Sequence, residues 1–188
     1  MNGEGPFIYK VNHLHMHGPG EHKIDDRQYD LEIHIVHELV GGPEGWEDYY
    51  DKLAVTAIFF EVAPKSHPFI EKLRPDDFGE IGKISFAELF TGEEQGEDQA
   101  KKFYHYKGSL TNPPYSDINN WLIYKEVLPI SQEHLDAFLS VWYPILWNGN
   151  FRVCQPLNGR RIVRNFENLE DTYVDHLDCV SHHHVHQP

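Results

Sequence analysis

The chain holds no long apolar run. No stretch of its 188 residues approaches the roughly 20 apolar residues that cross a bilayer as a helix, so no transmembrane segment is expected. Cysteine is scarce, with only Cys154 and Cys179. Two cysteines so placed build no disulfide framework, which points to a reducing, intracellular compartment, cytoplasm or an organelle. The start, Met1-Asn2-Gly3-Glu4-Gly5-Pro6, has neither the basic end nor the apolar core of a secretory signal. Positive charge is short too: 16 Lys and Arg stand against 30 Asp and Glu, a net charge of −14, with no basic stripe to offset it. Nucleic acid and anionic membrane would both repel such a surface.

What is present is enough for one core. Hydrophobic residues make up 40% of the chain and aromatics 13%, and this length favours a single domain. The histidines are unevenly spread, with His13, His15, His17, His22, His34 and His37 close together. Two segments there alternate, Asn12-His13-Leu14-His15-Met16-His17 and Leu31-Glu32-Ile33-His34-Ile35-Val36-His37. Period-two alternation predicts strands, with His13, His15 and His17 on one face. Gly18-Pro19-Gly20 and a polar turn at Asp25-Asp26 let the second strand fold back antiparallel and set His34 beside them. Three neutral imidazoles on a rigid sheet, without cysteine nearby, have the composition of a zinc site. Three protein ligands leave the fourth position open to water.

The rest of the chain reads as support. Residues 38–50 predict a loop, and Leu53–Val62 a central strand buried on both faces. A short helix is expected around Phe69–Leu73, an ordered piece at Ser85–Phe90 and a solvated acidic loop at Gly92–Asp98. Phe103–Tyr106 and Trp121–Tyr124 predict further strands. Ser131 caps a helix whose Leu135, Phe138, Leu139 and Trp142 share one face, and Pro144 stops it. The polar end, with His182, His183, His184 and His186, reads as a solvated tail or a nonspecific metal binder.

The stretch His13–His37 resembles the signature of the α-class carbonic anhydrases: a His-x-His strand, a Glu-His pair, then a Glu-x-His strand. Here these fall on His15 and His17, on Glu21-His22, and on Glu32 with His34. Two later blocks are similar to that family's loops. One is Tyr106-Lys107-Gly108-Ser109-Leu110-Thr111-Asn112-Pro113-Pro114. The other is Asn150-Phe151-Arg152-Val153-Cys154-Gln155-Pro156-Leu157-Asn158-Gly159-Arg160. Three ordered blocks over most of the chain are specific where a lone His-x-His would not be.

The resemblance implies a mainly β (α+β) fold, a twisted, mostly antiparallel sheet with few short helices, over residues 1–165, followed by a polar tail at 166–188. It implies Zn2+ on His15, His17 and His34, and reversible hydration of carbon dioxide to bicarbonate by a zinc hydroxide on those three histidines. Glu32 would accept from His34, and the Asn150 carbonyl from His17. The family has Gln where His13 stands. An imidazole there can accept from His15, pack against it, or compete as a further ligand. Thr111 and Glu21 match the family's gate pair, whose hydroxyl donates to the carboxylate. Val36, Val55, Leu110 and Trp121 fall where the family forms its apolar substrate pocket, although each taken alone is ordinary core.

The resemblance also implies that the family's usual N-terminal third, with its neighbouring strands and proton-shuttle histidine, is lacking. His105, His22 and His37 are present as candidate proton carriers, and strand parity counts against His22 and His37 as cavity residues. The edge near Asn12–His17 would be open, so a protein partner or self-association is expected to cover it. The alternative function is a carbonic-anhydrase-like structural or interaction subunit of a multiprotein assembly, retaining zinc with little or no activity.

Overall fold

A computed structural model describes residues 6–48, 51–73, 83–90, 102–142 and 148–166. Nine strands follow in order: β1 (Ile8–His17), β2 (Lys23–Ile24), β3 (Arg27–Gln28), β4 (Leu31–Gly41), β5 (Leu53–Val62), β6 (Phe103–Gly108), β7 (Asn119–Tyr124), β8 (Leu128–Ile130) and β9 (Val163–Arg164). The helices are α1 (Pro68–Lys72) and α2 (Gln132–Trp142), with single 3-10 turns at Trp46–Asp48 and Phe86–Phe90. Mostly sheet with few helices, this is the architecture that the resemblance implies.

The main sheet runs β1-β4-β5-β7-β6-β9, and β8 pairs with the far end of β5. Pairing is antiparallel except where β5 meets β7 and β8. β5 is central because its apolar, β-branched and aromatic residues suit burial on both sides: Val55 to Phe60 are all buried. β1 ends the sheet and is paired through β4 alone among the described residues. Between β1 and β4 the chain makes a small β2–β3 hairpin. Asp25 and Asp26 turn it at φ 51° and 61°, the left-handed pair that a two-residue turn needs to match strand twist.

The two faces of the sheet differ. One face packs Ile33, Ile35, Ile58 and Phe60 against Phe69 and Ile70 of α1 and against Leu135, Phe138 and Leu139 of α2. Ser131 Oγ accepts from the His134 N–H at 3.3 Å and so caps α2. The other face carries aligned rows. His13, Val36, Val55, Trp121 and Tyr106 are successive ladder partners, as are His15, His34, Ala57, Ile123 and Tyr104. The predicted strand face of histidines therefore sits over an apolar floor at the β1 end of the sheet.

Three expectations change. β4 continues to Gly41, so the predicted loop at 38–50 starts later; Leu39 is buried and its N–H pairs with the Lys52 carbonyl at 2.8 Å. Cys154 is disulfide-bonded, so the cysteine count no longer points to a reducing compartment. Strand parity does not govern His22, which lies outside the strands and is buried in the site described below. The Gly92–Asp98 loop, Pro144 and the tail beyond Phe166 lie outside the described residues. Among the described residues no helix is long and apolar enough to cross a membrane.

Candidate metal centre

The sheet brings His15, His17 and His34 together. One ring nitrogen from each lies within 4.8 Å of the others. His15 and His34 are direct ladder partners, and His34 Nδ1 stands 3.3 Å from His15 Nε2. His17 Nε2 is buried without a hydrogen-bond partner among the described residues, beside Glu21 Oε2 at 3.5 Å. A buried imidazole nitrogen aimed at two others is costly unless something binds it. Three imidazoles with converging lone pairs fit a zinc ion, since neutral nitrogen donors in a three-residue set are its usual ligands.

Each ring is steered by what holds its other nitrogen. His34 Nε2–H donates to Glu32 Oε1 at 2.7 Å, which leaves Nδ1 as the lone pair facing the cluster. His17 Nδ1–H donates to the Asn150 carbonyl at 2.7 Å, and a carbonyl can only accept, so the lone pair is on Nε2. His15 differs. Its Nδ1 is buried and has no partner among the described residues. His13 does not supply one: its Nδ1 meets Asn12 Oδ1 at 3.0 Å, and its exposed ring stacks on His15 with centroids 5.2 Å apart. The ladder skips from Val11↔His37 to His13↔Val36, which leaves Asn12 as a bulge residue. Its side chain then captures the neighbouring imidazole. His13 thus packs on His15 and makes no hydrogen bond to it.

Glu32 is the hub. It is fully buried, and its Oε2 accepts from the backbone N–H of Glu21 at 2.6 Å and of His22 at 2.8 Å. Its Oε1 accepts from His34 and, at 2.5 Å, from His22 Nδ1–H. Burial alone would raise this carboxyl, but the imidazoles of His22 and His34 outweigh it and hold Glu32 well below the usual carboxylate range. Behind it, Tyr106 O–H donates to His22 Nε2 at 2.7 Å, and burial pushes the Tyr106 phenol up, so it keeps that proton. The chain Tyr106–His22–Glu32–His34 thus fixes one tautomer after another. Burial, with His34 and His17 next, lowers His15 to about 3; burial and His34 also lower His17. Both rings stay neutral and able to bind metal.

Around the cluster, Glu21 Oε1 accepts from the Arg152 N–H at 2.7 Å while Oε2 is buried and unbonded among the described residues. Thr111 lines the same pocket as Glu21, His22, Trp121 and Arg152, but the expected Thr111–Glu21 hydrogen bond is not made. Arg152 also ties the two later sequence blocks together, donating to Ser109 Oγ at 3.2 Å and to the Leu110 carbonyl at 3.3 Å. Val36, Val55 and Trp121 pack in one buried cluster, with the Trp121 ring 4.8 Å from that of His34. Leu110 is half-buried in its loop. His37 bonds the Ala54 carbonyl, and His105 meets the Asn120 side chain. Sequence reasoning gave no role to Tyr106 or Arg152. The signals were weak: Tyr106 opens a matched block, and Arg152 stands two after Asn150.

Known proteins are similar to this chain over most of its length. It is 32% identical over 161 residues to alpha carbonic anhydrase 3 of Arabidopsis thaliana, covering 84% of this chain and 53% of that one. It is 29% identical over 184 residues to human carbonic anhydrase 7, covering 87% and 67%. The chain therefore spans about half the length of the plant relative. Among solved structures, the alpha-carbonic anhydrase of Thermovibrio ammonificans in complex with sulfanilamide matches with a TM-score of 0.63 and 28% identity, covering 83% of this chain and 63% of that one. Dioscorin complexed with ascorbate shares the fold at a TM-score of 0.67 and 24% identity, covering 87% and 64%. The family model for eukaryotic-type carbonic anhydrase runs across residues 1–166, the whole sheet and every residue of the histidine cluster, and the chain belongs to that family.

Proposed function

We propose that this chain is a carbonic anhydrase that hydrates carbon dioxide reversibly to bicarbonate, with His15, His17 and His34 holding Zn2+. The observation that carries this reading is the convergence of three imidazoles, two of them steered by Glu32 and the Asn150 carbonyl, with His17 Nε2 buried and unsatisfied among the described residues. A bound zinc supplies a Lewis acid that lowers the pKa of water to about 7, an effect best known from carbonic anhydrases themselves.

The chain's own residues do the rest. Glu32 and the Asn150 carbonyl keep the lone pairs of His34 and His17 pointing inward. The Arg152 N–H pins Glu21 so that Oε2 faces the cluster. That oxygen is the acceptor for the Thr111 hydroxyl in the reacting complex. With its proton so directed, Thr111 accepts from the attacking water and orients it, the gain being one of positioning. Val36, Val55, Leu110 and Trp121 wall the approach with apolar surface, which suits a small uncharged substrate and favours release of a charged product.

The test is carbon dioxide hydration by stopped flow on zinc-loaded protein, with and without sulfanilamide, beside a His34→Ala control. Inhibitable activity that disappears in the control is expected. A folded, zinc-loaded sample without activity overturns the reading. The second reading would then stand, an assembly subunit that keeps its zinc. It is favoured by the outer edge of β1, unpaired among the described residues over most of its length. A strand contributed by a protein partner or a second copy would cover that edge. Sedimentation of the natively purified protein separates these outcomes: a chain that sediments as a lone monomer removes the partner.

A further inference from the structure

Asn150 contributes more than its carbonyl. Its side-chain Nδ2–H donates to the Met16 carbonyl at 2.8 Å, and its Oδ1 accepts from the Gly18 N–H at 2.9 Å. Met16 and Gly18 flank His17, whose ring donates to the carbonyl of the same Asn150. One residue therefore grips the backbone before His17, the backbone after it, and the ring itself. In a strand, the carbonyl of one residue and the N–H of the residue two later point to the same edge. At Met16 and Gly18 these are the groups that a neighbouring strand would pair. β1 has β4 on its other side, so the Asn150 amide, which carries both a donor and an acceptor, stands in for the missing strand over one rung.

Gly149 makes the grip sterically possible. It sits at φ 95°, and a Cβ there would fall 1.9 Å from the Gly18 carbonyl oxygen and 3.0 Å from Pro19 Cδ. No side chain fits where the two backbones meet. Gly18 is itself buried, so an unpaired amide there would carry a desolvation cost.

We propose that the Asn150 side-chain amide is a positioning residue for metal retention: it completes the free edge of β1 around His17 and fixes where His17 Nε2 points. This rests on the zinc reading above. The geometry separates two functions within one residue. Asn150→Ala keeps the carbonyl that receives His17 but removes both backbone bonds. Asn150→Asp keeps an acceptor for Gly18 and loses the donor to Met16. Gly149→Ala leaves Asn150 intact and drives it away from the strand.

Two readouts are needed, one without metal. Amide exchange in the metal-free protein tests the grip. The Gly18 N–H is expected to be protected in the wild type and in Asn150→Asp, and to exchange fast in Asn150→Ala and Gly149→Ala. Zinc release to a chelator, with the visible spectrum of the Co2+ form, tests the consequence. Loss of such outer support costs roughly 10- to 100-fold in metal affinity, so Asn150→Ala is expected to release zinc faster by a factor in that range, with an altered cobalt spectrum. Asn150→Asp falls between it and the wild type. An Ile58→Val control, with a core change on the opposite face, is expected to release zinc at the wild-type rate. The proposal is overturned if Gly18 exchanges alike in wild type and Asn150→Ala, or if Asn150→Ala holds zinc and colours cobalt as the wild type does. A wild type that protects Gly18 but takes up no metal overturns the zinc reading and, with it, the role in metal retention.

Discussion

His15 and His17 stand two residues apart on one strand and face the same cluster, yet they are supported differently. His17 has its second nitrogen on a carbonyl and its backbone gripped on both sides. His15 has its ladder partner His34 and a stacked His13, and its Nδ1 is buried with nothing to bond among the described residues. Strand pairing alone decides which way a side chain points. The hydrogen bond at the far nitrogen decides which lone pair it offers. Support for His17 comes from a loop that reaches only the end of β1; halfway back along the same edge, nothing arrives among the described residues.

The contrast can be sharpened by making His34 as unsupported as His15. Glu32→Ala removes the acceptor for two imidazoles and two backbone amides. Breaking a buried charged network of this kind costs about 3–5 kcal/mol, to be measured by urea unfolding of the metal-free protein. Wild-type stability in Glu32→Ala would mean that the hub contributes nothing to the fold. Glu32→Gln preserves shape and weakens the acceptor. Zinc affinity by chelator competition is expected to fall by roughly 10- to 100-fold. An unchanged value would make the ladder sufficient to orient His34.

The contrast can also be abolished from the other side. His13→Gln offers His15 a flexible carbonyl oxygen in place of an imidazole engaged with Asn12. Zinc affinity is expected to rise, by about tenfold at most on the same scale. A fall instead would show that the stacked ring holds His15 better than a hydrogen bond would.

A smaller, graded effect follows from pH. Burial lowers His15 to about 3 and also lowers His17, whereas the unfolded imidazoles titrate near 6.5. Between these values the unfolded chain binds protons that the folded chain refuses. Stability of the metal-free protein should therefore be fully present above about 6.5 and fall as pH drops toward 3. The urea midpoint followed across that window should slope less in His15→Gln; equal slopes would remove His15 as a source.

The sequence made parts of this legible for definite reasons. Period-two alternation set His13, His15 and His17 on one face, and the turn at Asp25-Asp26 allowed His34 to come opposite them. The helix from Ser131 followed from its apolar spacing. What escaped depended on contacts between distant segments. Parity has no purchase on His22, which sits between strands and is placed by Glu32 and Tyr106. His13 was on the right face, but the bulge at Asn12 gave it a closer partner than His15. The grip of the Asn150 amide and the clearance at Gly149 exist only where two backbones touch. Nothing in the spacing of either segment announces them.

The three bonds between Asn150 and the end of β1 join residues 132 to 134 positions apart. Contacts of that separation pay their loop-closure entropy late in folding. During synthesis His15 and His17 leave the ribosome long before the asparagine that steadies one of them. An ion captured by the emerging hairpin would meet rings with one support missing, and a tight, well-aimed site forms only when the far end of the domain docks. On the zinc reading, metal retention would report on completed folding, and a chain cut short before residue 150 would be expected to leak the ion.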